Sequence, residues 1–362
     1  MNFKLKYLKS KNRYLSIKYN NQIGSAESLD NNIIHIYYGG SFSPPTIAHQ
    51  TICIDTIHFL MDYYQDSDIN KIILHIVPTS DLYNKFSVKH DCIPFEKRIE
   101  MLKIIIQNIK EKIIRNEKYE IIINVDDIEQ ELAHIKNENN EPQGYLGTYP
   151  CVIDFATKYG YNSKNIYLLY GLDNAISLVS LIIKADGKIQ RWKDALHLIS
   201  KFKYLIYPRS GVNIDYELLI RLLNEHLVSF FSSDYNLDEI NINTGENNLD
   251  DVSEELELFK NNPMQFMQDH FIQVKNDSNE CSSGDSISIA ETSSSNIRKV
   301  LYDYSSYGFT IKPCIINENL EMIDSKIKPI ILELYKNGIN CEGTVKFNEI
   351  LSSIPEEWKI YL

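Results

Sequence analysis

What most constrains this chain is an alternation of two hydrophobic periods. Short runs of β-branched and aromatic residues, "NNIIHIYYGG", "KIILHIVP", "YEIIINVDD", "NIYLLYG" and "KYLIYPRSG", return between stretches whose apolar residues recur at helical spacing. In "QTICIDTIHFLMDYYQ", for example, Cys53, Ile57, Leu60 and Tyr64 fall on one helical face. "PFEKRIEMLKIIIQNIK" opens on a proline, and "YPCVIDFATKYG" closes on a glycine, as helix starts and stops do. Near-continuous apolar strands separated by helices predict an α/β fold, a Rossmann-like, doubly wound parallel sheet with helices on both faces.

The pattern divides the 362 residues into four spans. Residues 1–32 read as an N-terminal extension and 33–211 as the core. Residues 212–285, polar and acidic with few periodic apolar positions, read as an insertion, partly helical or flexible, outside the sheet. Residues 286–362 return to the core: "SISIAE" reads as a strand, "TSSSNIRKVLYDY" as a loop entering a helix, and "KIKPIILELYKNG" as a further helix. The insertion is expected to be a tolerated loop, because long surface insertions cost little free energy.

Charge and cysteine content narrow the function. A formal net charge of −12 argues against a general nucleic-acid binder, which carries a basic face. The six cysteines are scattered without C-x-x-C spacing, as in proteins with reduced thiols. No apolar run is long enough to span a bilayer. The N-terminal "MNFKLKYLKSKNRYLSIKY" is basic but alternates like a strand rather than an amphipathic transit peptide. The expected compartment is cytoplasmic, with the nucleus also compatible, and a homo-oligomer is left open.

"YYGGSFSPPTIAHQ", residues 37–50, breaks the pattern where the first strand ends. Glycines there let the backbone turn tightly and approach a ligand. The following helix start offers free N–H groups and a partial positive charge, an anion site. Thr46 and His49, three residues apart on the first helical turn, share a side of it and suit phosphate chemistry. On local sequence alone, an ordinary Gly/Pro turn with a capping threonine fits the same residues.

Beyond local chemistry, "GGSFSPPTIAH" resembles the signature of the nucleotidylyltransferase superfamily, and of the nicotinamide/nicotinate mononucleotide adenylyltransferases within it. "TSSSNIR" is similar to that family's ISST-x-I-R, with Ser295 where threonine is usual. "PTSDLYNK" followed by "KRIEML", then "YGLDNA", then "RWKDALHLISKFKYLIYPRSG", resemble further family segments in the right order. Ala48 and Thr46 depart from the commoner glycine and histidine, and the resemblance gives no account of the extension or the acidic stretch.

The resemblance implies transfer of AMP from ATP to the 5′-phosphate of nicotinamide or nicotinate mononucleotide, with Mg²⁺ carried on the ATP. It implies catalytic roles for His49, Arg298, Lys85 and Thr46. It places Gly40, Ser41, Phe42, Gly171, Arg209, Ser293, Ser294 and Ser295 on ATP, and Trp192, Asp173, Thr148 and Tyr149 on the mononucleotide. Arg98 is expected to pair or pack on its helix rather than touch a ligand. A sibling enzyme acting on phosphopantetheine would share His49 and Arg298 but need neither Trp192 nor the Asp173 segment. A class I aminoacyl-tRNA synthetase, whose H-I-G-H resembles "TIAH", would need a lysine loop that this chain lacks. A non-catalytic nucleotide-binding protein is the alternative from another class.

Overall fold

The structure, a computed structural model, describes residues 32–82, 93–114, 116–136, 142, 144, 147–183, 189–208, 213–231, 253–275 and 323–331. Strand β1 (Ile33–Gly40) runs into helix α1 (Ile47–Tyr63). Then come β2 (Lys71–Pro78), α2 (Phe95–Lys112), β3 (Glu120–Val125), α3 (Ile128–Ala133) and α4 (Thr148–Tyr159). Strand β4 (Ile166–Gly171) and α5 (Leu172–Val179) lead to a hairpin, β5 (Leu181–Ile183) and β6 (Ile189–Arg191). After α6 (Ala195–Lys201) and β7 (Lys203–Tyr207) come α7 (Tyr216–Phe231), α8 (Ser253–Asn261), α9 (Pro263–His270) and β8 (Phe271–Gln273).

Six strands form one parallel sheet in the order β3-β2-β1-β4-β7-β8, while β5 and β6 pair antiparallel on their own. Register is fixed by pairs such as Gly40 with Pro78 and Tyr37 with Leu168. Strand residues alternate between two cores. Tyr37, Val77, Leu168, Tyr170, Tyr204 and Ile206 pack against α3 to α9. Ile34, Ile36, Leu74, Leu169 and Leu205 pack against α1, α2 and the segment 323–331. Both faces of the central strands are thus dry, which is why they read as unbroken apolar runs.

The helical reading of α1 holds: Cys53, Ile57 and Leu60 are buried on the sheet side. So do the proline before α2 and the left-handed Gly160 after α4. The reading of 212–285 as a segment outside the sheet is corrected. Its end supplies β8, which pairs with β7, and Phe271 stacks on Tyr204 with ring centroids 4.9 Å apart. Leu219 and Leu223 of α7 and Phe259 of α8 are buried in the same core. Three strand residues in acidic surroundings carry too little pattern to be read as a strand; the burial that makes them one comes from α7 and α9. Residues 1–31, "SISIAE" and "TSSSNIR" lie outside the described residues. Among the described residues, no helix is long and apolar enough to cross a membrane.

Candidate functional site

The sheet order places the reversal of strand order between β1 and β4, whose strands are parallel like the rest. In an open parallel sheet the crevice outside the carboxyl ends of the strands, at that switch point, is where ligands bind. Gly40 ends β1 and Gly171 ends β4, so both stand at its rim.

After Gly40 the backbone folds back sharply. A side chain at Gly40 would meet the Phe42 ring at 3.1 Å, so a larger residue there would have to push that ring aside. Phe42 itself takes a left-handed backbone, φ 45°, a strained conformation that persists only where packing enforces it. The packing is visible: the Phe42 side chain is fully buried, edge-on to Tyr38 and 5.0 Å from the His49 ring. Phe42 therefore offers the crevice its backbone and not its ring.

Thr46 is the N-cap of α1, and His49, the third helical residue, returns its side chain to the cap. Glutamate or glutamine usually does this in a capping box; here an imidazole does. His49 Nδ1 accepts from the Thr46 backbone N–H at 2.9 Å and lies 2.7 Å from Thr46 Oγ1. An Nδ1 that accepts an N–H bears no hydrogen, so the neutral ring carries its proton on Nε2 and has a donor there. The two sequence readings of Thr46, cap and site residue, thus coincide. Thr46 is itself fully buried, and its hydroxyl faces His49.

Behind this loop, Arg98 of α2 is wholly buried. Its Nε donates to the Ile93 carbonyl at 2.9 Å, and its Nη1 to the carbonyls of Ser41 at 2.9 Å and Thr79 at 2.6 Å. The expected packing on its own helix is seen at the Phe95 ring, 5.2 Å from the guanidinium carbon. Two more bonds tie the same strands of chain together: Thr79 N–H to the Gly40 carbonyl, and Ile93 N–H to Ser43 Oγ. Glu129, buried on α3, accepts from the Tyr37 hydroxyl at 3.1 Å. Burial pushes its carboxyl up to about 7, against the opposing effects of that hydrogen bond and the Arg98 charge.

On the other side of the switch point, α4 begins at Gly147, whose φ of 107° and closeness to Lys193 exclude a side chain; an added Cβ would lie 3.1 Å from the lysine's Cδ. This contact brings the Trp192 segment to the helix start that carries Thr148 and Tyr149. Trp192 is half-buried, with its ring 5.8 Å from that of Tyr170. Tyr149 turns toward α6, its ring 5.3 Å from His197. Asp194, next to Lys193, is buried and caps α6 in a left-handed conformation, φ 57°. Burial pushes its carboxyl up to about 6, with Lys193 opposing. Asp173 is exposed on the first turn of α5, beyond Gly171.

The structure therefore groups Gly40, Ser41, Phe42 and Thr46 on the loop that enters α1 with His49 on its first turn, and brings the start of α4, at Gly147, beside Lys193, the neighbour of Trp192. Lys85, Arg209, Ser293, Ser294, Ser295 and Arg298 lie outside the described residues. Sequence reasoning missed Glu129, hidden in the acidic run "DDIEQEL", and Tyr170, which reads as one more strand residue in "YLLYG". It also missed the Arg98 contacts, since nothing local marks the carbonyls that this side chain reaches. Among the described residues, no group of three or more His, Cys, Asp or Glu is arranged to hold a metal ion.

A parallel sheet in this order, with a glycine turn leading into a capped helix at the switch point, defines a Rossmann-like α/β protein. The chain is 29% identical over 212 residues to a probable nicotinate-nucleotide adenylyltransferase of Acholeplasma laidlawii, covering 59% of this chain and 87% of that one. Over that stretch it is similar to the nicotinamide/nicotinate mononucleotide adenylyltransferases. No family model matches it. Among solved structures it is similar to Plasmodium falciparum nicotinic acid mononucleotide adenylyltransferase. The form complexed with APC aligns at 22% identity and TM-score 0.33, over 52% of this chain and 70% of that one. The form complexed with NaAD aligns at 18% identity and TM-score 0.31, over 64% and 97%.

Proposed function

We propose that this protein transfers the adenylyl group of ATP to a pyridine mononucleotide, with nicotinate mononucleotide as the preferred acceptor, releasing pyrophosphate. The acid form is favoured by the name of the Acholeplasma relative. The observation that carries the proposal is the His49 ring, held by the Thr46 cap with its proton on Nε2, on a glycine loop at the switch point.

The nucleophile in such a reaction is a phosphate oxygen of the mononucleotide, ionised at neutral pH, so no general base is needed. It attacks the α-phosphorus of ATP, the bond from that phosphorus to the bridging oxygen breaks, and pyrophosphate leaves. Catalysis then consists of positioning and of stabilising charge on the phosphates. His49 donates from Nε2 to the ATP phosphates, and Thr46 acts through His49 by fixing its tautomer. The backbone of Gly40, Ser41 and Phe42 lets the triphosphate approach closely, with Gly171 at the neighbouring strand end. Lys85 and Arg298 neutralise the leaving pyrophosphate, Ser293, Ser294 and Ser295 donate to it, and Arg209 serves the adenosine side. Trp192 stacks on the pyridine ring with Tyr170 behind it. Thr148 and Tyr149 lie at the pyridine substituent, and Asp173 accepts from a ribose hydroxyl. Mg²⁺ arrives on the ATP, where it supplies charge neutralisation.

The test is pyrophosphate release from ATP and Mg²⁺ with nicotinate mononucleotide, nicotinamide mononucleotide and phosphopantetheine in parallel. Release that is fastest with the nicotinate form is the expected result. Release with phosphopantetheine alone would remove the role of Trp192, and bound ATP with no release from any acceptor would leave a non-catalytic nucleotide-binding protein.

A further inference from the structure

The charge of Arg98 is fully removed from water, which is costly unless the guanidinium is hydrogen-bonded. Three of its hydrogen bonds go to backbone carbonyls on three separate pieces of chain: the loop after β1, the residue after β2, and the approach to α2. A planar guanidinium with donors in a fixed fork can hold three such carbonyls at once; an ammonium on a flexible stem cannot reproduce that geometry. The Ser41 carbonyl precedes Phe42, the strained residue, and lies five residues before the Thr46 cap. Glu129, tied through Tyr37 to β1, is near enough for the Arg98 charge to oppose the effect of burial on its carboxyl.

Resting on the function proposed above, we propose that Arg98 is a positioning residue for the adenylyl transfer: its guanidinium clamps the turn 41–46 against β2 and α2, and thereby holds His49 with Nδ1 on the cap and its donor at Nε2. Arg98 touches no nucleotide. It acts through the carbonyl of Ser41, and so on the geometry of the group that meets the phosphates. The strained turn relaxes when that carbonyl is released, and the imidazole loses the single orientation the cap imposes. A displacement of about 1 Å at a catalytic group is enough to cost about 100-fold in rate.

The experiment uses the full chain with Arg98→Lys and Arg98→Ala, checked for folding by circular dichroism and thermal melting. In Arg98→Lys, turnover should fall about 100-fold while ATP affinity measured by calorimetry falls much less, the split expected when a transition-state contact is lost. In Arg98→Ala, added guanidinium chloride at subdenaturing concentration should raise turnover saturably, and methylammonium should not. Independently of any activity, ¹⁵N resonances of His49 should show Nε2 protonated in the parent chain and tautomer exchange in Arg98→Lys. Unchanged turnover and an unchanged His49 tautomer in a folded Arg98→Lys would overturn the proposal. Failure of both variants to fold would overturn it too, in favour of a purely structural arginine. If the parent chain releases no pyrophosphate with any acceptor, the proposed function fails while the His49 resonances still decide the role of Arg98.

Discussion

Under the proposed function, His49 and Trp192 divide the work of the crevice in a way that kinetics can separate. One hydrogen-bond donor aimed at developing charge is worth about 100-fold or more in rate. His49→Ala should therefore lower turnover by about that factor while ATP binding changes little, and initial rates at saturating substrates measure it. Near-normal turnover in the folded variant would remove His49 from the chemistry. Trp192 presents a flat, half-buried ring backed by Tyr170, a surface for stacking and not for charge. Trp192→Ala should raise KM for the mononucleotide by about 5- to 100-fold, the equivalent of about 1–3 kcal/mol of stacking, with KM for ATP nearly unchanged. A change confined to ATP would mean that the two half-sites are exchanged.

Phe271 is the element-scale counterpart, because β8 stands or falls with it. It is fully buried, stacked on Tyr204, and belongs to a strand of only three residues. Phe271→Ala should cost about 3–5 kcal/mol, read from urea unfolding midpoints; a loss below about 1 kcal/mol would return this segment to the status of a dispensable loop. Elements with a strong period were legible from sequence. Cys53, Ile57 and Leu60 marked the buried face of α1, and the runs ending at Gly40 and Gly171 marked strands whose two faces are both covered. The short elements were not. α3 carries three polar residues among six, and its contact with Tyr37 places Glu129 in the interior. The hairpin β5–β6 and strand β8 have three residues each, too few to show a period. At the site, the glycine loop and the Thr46–His49 spacing were legible because they are local; the Arg98 clamp was not, since its partners lie 57 and 19 residues away.

At the scale of the whole molecule, the dry core on the α4 side holds a cost that acid reveals. His35 is fully buried, its ring stacked on Tyr161 at 3.5 Å, with His75 5.9 Å away. Burial, aided by the charges of His75 and Lys71, holds it down to about 3, against 6.5 for an unperturbed histidine. The unfolded chain therefore binds a proton below pH 6.5 that the folded chain refuses. The stability due to a neutral His35 is fully present above pH 6.5 and is lost as pH falls, by about 1.4 kcal/mol per unit. Glu129 and Asp194, raised to about 7 and 6, work in the opposite sense over part of that range, so the comparison must be with a variant. Between pH 7.5 and 5.0, the parent chain should lose about 2 kcal/mol relative to His35→Phe in urea unfolding; parallel pH profiles would show that His35 is not the group responsible. The strand order has a different consequence, one of timing. β1 is the first described strand to be synthesised, yet its neighbour β4 is made only after β2 and β3, and β8 after all of these. A chain leaving the ribosome N-terminus first can complete the β1–β2–β3 half, glycine loop included, while one flank of β1 still lacks its partner. For that interval the bare edge of the central strand is a template for any extended peptide nearby, so the nascent protein is exposed to mispairing at the very strand on which the finished crevice is built.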